Sequence, residues 1–170
     1  MFIGSYEHKP NIDAVVWLVN EIMPLVWNKY PNVKLTLLGS KPTAEVLKLA
    51  SDRVIIPGFI ADVSTYFNKS KLFVAPLRYG AGMKGKIGQS LEYGLPIVST
   101  NIGTEGMGLR NEFHVLEANE PNAFAEQIVK LYTSKELWTK LSKNSTDSLK
   151  NYTPEVVLNQ IKEIFSIFTI

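Results

Sequence analysis

The sequence predicts an α/β fold: a doubly wound, mostly parallel sheet with helices on both faces and a helical C-terminal end. Three observations carry it. Short apolar runs alternate with segments of helical period, the runs end repeatedly at glycine, and the last third of the chain has only helical patterning. At 170 residues, 45% hydrophobic and 20% charged, the chain has the size and composition of one domain able to bury its own core.

The elements follow in order. Met1 to Ile3 is a short strand ending at Gly4-Ser5. Asn11 is placed to cap a helix whose apolar positions Ile12, Val15, Val16, Val19, Ile22, Met23, Val26 and Trp27 keep helical spacing, with a kink expected at Pro24. Val33 to Leu38 reads as a buried strand stopped by Gly39, Thr43 to Ala50 as a helix, and Val54 to Ile56 as a strand stopped by Pro57-Gly58. Asp62 caps a short helix to about Asn68, and Leu72 to Ala75 is the next strand. A glycine-rich loop, a helix to Tyr93, a strand at Ile97 to Ser99 and another at Phe113 to Leu116 come next. Helices then cover Pro121 to Thr133, Lys135 to Asn151 and Pro154 to the end. In a parallel sheet, Gly4, Gly39, Gly58 and Gly80 to Gly85 would gather at the carboxyl ends of the strands, where such folds bind ligands.

Pro76-Leu77-Arg78-Tyr79-Gly80-Ala81-Gly82-Met83-Lys84-Gly85-Lys86 is the most informative stretch, because it joins a glycine turn, three cations and the start of a helix. Small residues let backbone N–H groups approach an anion, and a helix N-terminus adds partial positive charge. A nucleotide or nucleotide sugar is the ligand class that fits. Two literal motifs match imperfectly. A P-loop needs Ser or Thr after its lysine, and position 87 is Ile; a dinucleotide fingerprint belongs after the first strand of its unit, with an acid some twenty residues on. A degenerate P-loop phosphotransferase, using magnesium, and a non-enzymatic interaction module therefore stand as alternatives.

Composition narrows the classes. A net charge of +2 without a dense Lys/Arg cluster argues against a nucleic-acid partner. The lack of cysteine excludes disulfides and thiolate chemistry and fits a reducing, cytoplasmic location. No apolar run reaches the length of a membrane span. The four aspartates, Asp13, Asp52, Asp62 and Asp147, form no Asp-x-Asp pair, and the two histidines are far apart, so no metal site and no cofactor are expected.

Gly4-Ser5 with His8-Lys9-Pro10-Asn11, Gly58-Phe59-Ile60 before Asp62, and Pro76 through Lys86 to Glu92-Tyr93-Gly94-Leu95-Pro96-Ile97-Val98-Ser99-Thr100 together resemble the C-terminal, donor-binding half of a GT-B glycosyltransferase of the family-4 type, glycosyl transferases group 1. The resemblance covers nearly the whole chain. It implies a Rossmann-like domain over residues 1–170 that binds a UDP- or GDP-linked sugar, with the acceptor-binding N-terminal domain absent. Sugar transfer with retained configuration and without metal is implied, in glycan or polysaccharide synthesis. Peripheral membrane association of the full enzyme is compatible with it, and the isolated chain is expected to be inactive.

The resemblance also implies residue roles. Gly4, Ser5 and Lys9 would face the diphosphate, and Gly58, Phe59 and Ile60 would line the base pocket. Arg78, Gly82, Gly85 and Lys86 would hold the phosphates, joined by Lys84 where the chain departs from the family's motif, and Glu105 would approach the donor sugar. Glu92 matches the second glutamate of the family's paired motif, which receives the ribose hydroxyls; eight positions earlier, where the first should stand, the chain has Lys84. The catalytic groups are expected on the missing domain.

Overall fold

The computed structural model describes residues 1–166. Six strands, β1 (Phe2–Ile3), β2 (Leu35–Leu38), β3 (Val54–Gly58), β4 (Phe73–Ala75), β5 (Ile97–Ser99) and β6 (Leu116–Glu117), form two three-stranded parallel sheets ordered β1-β2-β3 and β4-β5-β6. β1 and β4 lie side by side. The Met1 nitrogen donates to the Leu72 carbonyl at 2.8 Å and Val74 N–H to the Met1 carbonyl at 2.9 Å, the spacing of a parallel bridge. The order across the molecule is therefore 3-2-1-4-5-6, with its reversal between β1 and β4.

Helices α1 (Lys9–Trp17), α2 (Met23–Lys29), α3 (Ala44–Leu47), α4 (Ser64–Lys69), α5 (Gly85–Glu92), α6 (Asn101–Thr104), α7 (Pro121–Thr133), α8 (Lys135–Leu149) and α9 (Pro154–Ser166) cover the strands. One core cluster packs Phe2, Tyr6, Trp17, Leu37 and Phe124 with α1, α2 and α7; a second holds Leu38, Phe67, Phe73, Ile87 and Leu91 on the α4 and α5 side. Both sheet faces are thus buried, which is why the central strands are continuously apolar.

Several boundaries differ from expectation. His8, not Asn11, stands at the N-cap of α1, with Pro10 in the first turn, where its missing N–H costs nothing. Asn11 is instead buried inside that turn. The kink expected at Pro24 is a π-helical segment, Leu18–Ile22, that separates α1 from α2. The Thr43 helix closes after four residues, and Val63 rather than Asp62 is the cap of α4, although Asp62 still accepts the Ser64 N–H at 2.9 Å. β6 begins at Leu116: His114 N–H and Phe113 N–H both turn back to the Arg110 carbonyl, so the start of the predicted strand is a turn. α8 ends at Leu149 and passes into a 3-10 turn. α9 buries none of its residues, and the part of the predicted last helix beyond Ser166 lies outside the described residues.

Candidate functional site

β1 and β4 deliver their chain ends to one cleft at the reversal of strand order. Gly4, Gly39 and Gly58 do gather there. Gly39 N–H bonds the Gly58 carbonyl at 3.2 Å, and a Cβ on Gly39 would lie 1.9 Å from the Gly4 carbonyl oxygen, so only glycine fits.

Lys86, in the first turn of α5, crosses to the β1 side. Its ammonium donates to Asn11 Oδ1 and sits 4.4 Å from the centre of the Phe2 ring. Asn11 is held in turn by donating Nδ2 to the Ser5 carbonyl at 2.7 Å. Asn11 and Lys86 press so closely on Gly4 that a Cβ there would come 2.7 Å from Asn11 Nδ2 and 2.9 Å from Lys86 Nζ. Among the described residues, no carboxylate lies within ion-pair distance of Lys86. Burial first, and repulsion from Lys84 second, push its pKa down to about 8. A half-buried cation with an amide and a ring but no counter-charge is poised to receive an anion.

The glycine loop completes the wall. Leu77 is pinned by its N–H to the Ala75 carbonyl at 2.9 Å and by Thr100 Oγ1, which donates to its carbonyl. Gly80 and Gly82 then take φ of +120° and +76°, conformations a side chain resists. Lys84 caps α5 with its carbonyl, which accepts Ile87 N–H at 2.8 Å and Gly88 N–H at 3.4 Å. The N–H groups of Gly85 and Lys86 are the helix's outward donors. Lys84 Nζ donates to the Gly82 carbonyl and stands 3.7 Å from Glu105.

Other predicted residues are placed differently. Arg78 is forked onto Asp13, with Nε 2.9 Å from Oδ2, and lies over the Trp17 ring, so its charge is already paired. Lys9 is exposed at the start of α1. Phe59 is 72% exposed beyond β3 and so is not core, while Ile60 packs against the second core cluster. Ser5 Oγ accepts Glu7 N–H at 3.3 Å. Glu92 closes α5, about 9 Å along the axis from Lys86 and on a different face; Gln89, three residues on from Lys86, shares its face. Sequence reasoning missed Asn11, Asp13 and Thr100 as site-building residues, because their partners are far away in sequence.

This architecture is that of the C-terminal domains of GT-B glycosyltransferases. Residues 1–134 match the family model described as glycosyl transferases group 1, and the chain belongs to that family. A curated relative, an uncharacterized 44.6 kDa protein in the cps region of Klebsiella pneumoniae, is 27% identical over 138 residues, 76% of this chain and 36% of its own length. The solved structure of a point mutant of S. aureus TarM with Fondaparinux, alpha-GlcNAc-glycerol and UDP superposes with a TM-score of 0.78 at 20% identity, covering 96% of this chain and 34% of that one. The C-terminal domain of a glycosyl transferase group 1 family protein, LpcC, from Francisella tularensis superposes at 0.66 and 15% identity, over 88% of this chain and 83% of that one. The chain thus spans about a third of the length of the curated relative and of TarM.

Proposed function

We propose that the chain is the nucleotide-sugar-binding half of a retaining, metal-independent glycosyltransferase that moves a sugar from a UDP- or GDP-linked donor to an acceptor in glycan or polysaccharide synthesis. The observation that carries this is Lys86, an ammonium without a carboxylate partner at the reversal of strand order, beside the open N–H groups of α5. UDP beside alpha-GlcNAc-glycerol in the TarM structure supports the donor class.

In this reading the diphosphate lies between the Gly4-Ser5 turn and the start of α5. As the bond from the anomeric carbon to the diphosphate breaks, negative charge grows on the leaving oxygen. Lys86 and the Gly85 and Lys86 N–H groups stabilise it without reorganising, and Lys84 adds its charge by exchanging Glu105 for phosphate. The Gly58 to Ile60 edge takes the base, and the ribose falls to an α5 side chain, Glu92 or Gln89. The acceptor is held by a second, N-terminal lobe, against which the apolar residues Val157, Ile161 and Ile164 of α9 pack. Without that lobe the chain transfers no sugar, since positioning the acceptor is worth roughly 7–11 kcal/mol of barrier. Cytoplasmic location, with peripheral membrane contact of the whole enzyme, accords with helices none of which, among the described residues, is long and apolar enough to cross a membrane.

Isothermal titration with UDP-sugars, GDP-sugars and ATP, with and without magnesium, tests the assignment. A nucleotide sugar bound equally well without metal is the expected result. Magnesium-dependent ATP binding would instead favour a phosphotransferase, which Ile87, fully buried where a metal-binding hydroxyl is needed, already disfavours. No binding at all would favour an interaction module.

A further inference from the structure

Lys86 is a nucleophile as well as a cation. Its Nζ, half-buried in the cleft, donates to Asn11 Oδ1 and lies 4.4 Å from the centre of the Phe2 ring. Lys41, Lys130 and Lys150 each have a carboxylate partner, in Glu7, Glu112 and Asp147. Lys86 has none among the described residues, because Glu105 lies against Lys84 and Asp13 is forked by Arg78. The charged group that bears on it is Lys84, a like charge, which favours the neutral amine. Desolvation and a neighbouring cation are the two conditions that activate a lysine.

A nitrogen so placed loses its proton easily. With burial and Lys84 holding its pKa at about 8, about a quarter of the chains carry Lys86 as the free amine at pH 7.5, against roughly one in a thousand for an ordinary lysine. The free amine keeps hydrogens for Asn11 and gains a lone pair. The start of α5 supplies what directs an electrophile to it. A phosphate received between Nζ and the outward N–H groups of Gly85 and Lys86 brings the atom bonded to its bridging oxygen next to Nζ.

We propose that Lys86 is a site of acylation by acyl phosphates, with the phosphate held at the start of α5 and the acyl carbon taken by Nζ. The amine adds its lone pair to the carbonyl carbon; the bond from that carbon to the phosphate oxygen breaks. Phosphate leaves with the electron pair, and the nitrogen releases one proton to solvent, so the product is a neutral amide. The N–H groups of α5 stabilise the departing phosphate. The amide nitrogen still has a hydrogen for Asn11 but carries no charge. Such a site, which rests on the phosphate position of the donor reading, is a covalent switch on it: the acylated chain loses its unpaired cation and with it donor affinity.

Acetylation rates of individual lysines, read by mass spectrometry on the folded chain with acetyl phosphate at pH 7.5, test this. Lys86 should react at least about tenfold faster than the exposed Lys48 and Lys69, a margin that allows for the weaker nucleophilicity of a less basic amine. Its lead should shrink with N-hydroxysuccinimidyl acetate, which has no phosphate, and with excess inorganic phosphate. Asn11→Asp, which sets a carboxylate on Nζ, should bring the rate down toward that of Lys48. Rates at Lys86 no greater than at Lys48 and Lys69, or a lead that inorganic phosphate leaves untouched, would overturn the proposal. Calorimetry with UDP on the same chain separates the two readings. UDP binding without preferential acetylation removes the acylation site alone; phosphate-sensitive acetylation without UDP binding sustains it and removes the donor reading.

Discussion

Replacing Lys86 separates charge from shape at the centre of the cleft. In the reading above, its ammonium makes a charge-assisted hydrogen bond to the donor diphosphate, a contact of about 1.5–3 kcal/mol. Lys86→Met should then weaken nucleotide-sugar binding at pH 7 by about ten- to a hundredfold, since each 1.4 kcal/mol is a factor of ten. The pH dependence is the sharper signature. With the free amine titrating at about 8, the fraction in the binding-competent ammonium form falls about fourfold between pH 7 and 8.5, so wild-type affinity should fall about as much, with proton uptake on binding. Lys86→Met should be weak and flat over that range; Lys86→Arg should be flat because the guanidinium stays charged. Calorimetry in buffers of different ionisation enthalpy reads both affinity and proton uptake. Equal pH profiles for wild type and Lys86→Met, or unchanged affinity in Lys86→Met, would refute the role of the ammonium.

Lys86 also bears on stability: its folded pKa is lowered, so between about pH 8 and its unfolded value of 10.5 the unfolded chain holds more protons, and folding becomes more favourable as pH rises. Below pH 8 both states are charged and the folded state carries the full burial cost, so Lys86→Met should melt above wild type at pH 7, with the difference shrinking toward pH 10; the opposite trend in thermal melts would contradict this. Gly4→Ala should abolish donor binding while leaving the fold by circular dichroism, because its Cβ displaces both Asn11 and Lys86. Gly103→Ala should leave binding in place but lower the melting temperature by roughly 2–10 °C, as a Cβ there would lie 2.1 Å from Ser99 Oγ and 3.0 Å from the Ala75 carbonyl, overpacking worth about 1–3 kcal/mol. Of Glu92→Gln and Gln89→Ala, the variant at the ribose contact should lose affinity for ribonucleotides and not for their 2′-deoxy counterparts; equal losses for both ligands would exclude that residue.

The alternation of strands and helices was legible because burial of both sheet faces makes each central strand an apolar run that a glycine stops, as at Leu35–Leu38 before Gly39. The glycine rim and the glycine loop that leads into α5 followed from the same punctuation. Termini set by local hydrogen bonding were less visible. Asn11 has the chemistry of a cap, but Pro10 just before it marked the true start of α1, and the amide of Asn11 is used across the cleft. Phe113 has strand propensity, yet the Arg110 turn, closed by Arg110 N–H to His114 Nδ1 at 3.0 Å, takes it out of β6. The electrostatics were legible least. Arg78 and Lys86 look alike in a list of cations, and only the fold shows that Asp13 neutralises the first while the second has an amide and a ring for company.

The central claim is that the donor's diphosphate sits between the Gly4-Ser5 turn and the N-terminus of α5. Backbone amide shifts in a titration with UDP-glucose and GDP-mannose test it most directly. One of these ligands should shift the amides of Gly4, Ser5, Gly82, Gly85 and Lys86 most strongly, without magnesium, and the shifts should vanish in Lys86→Met at the same ligand concentration. Shifts confined to residues outside the cleft, or a Gly85 and Lys86 response that survives in Lys86→Met at full strength, would contradict it.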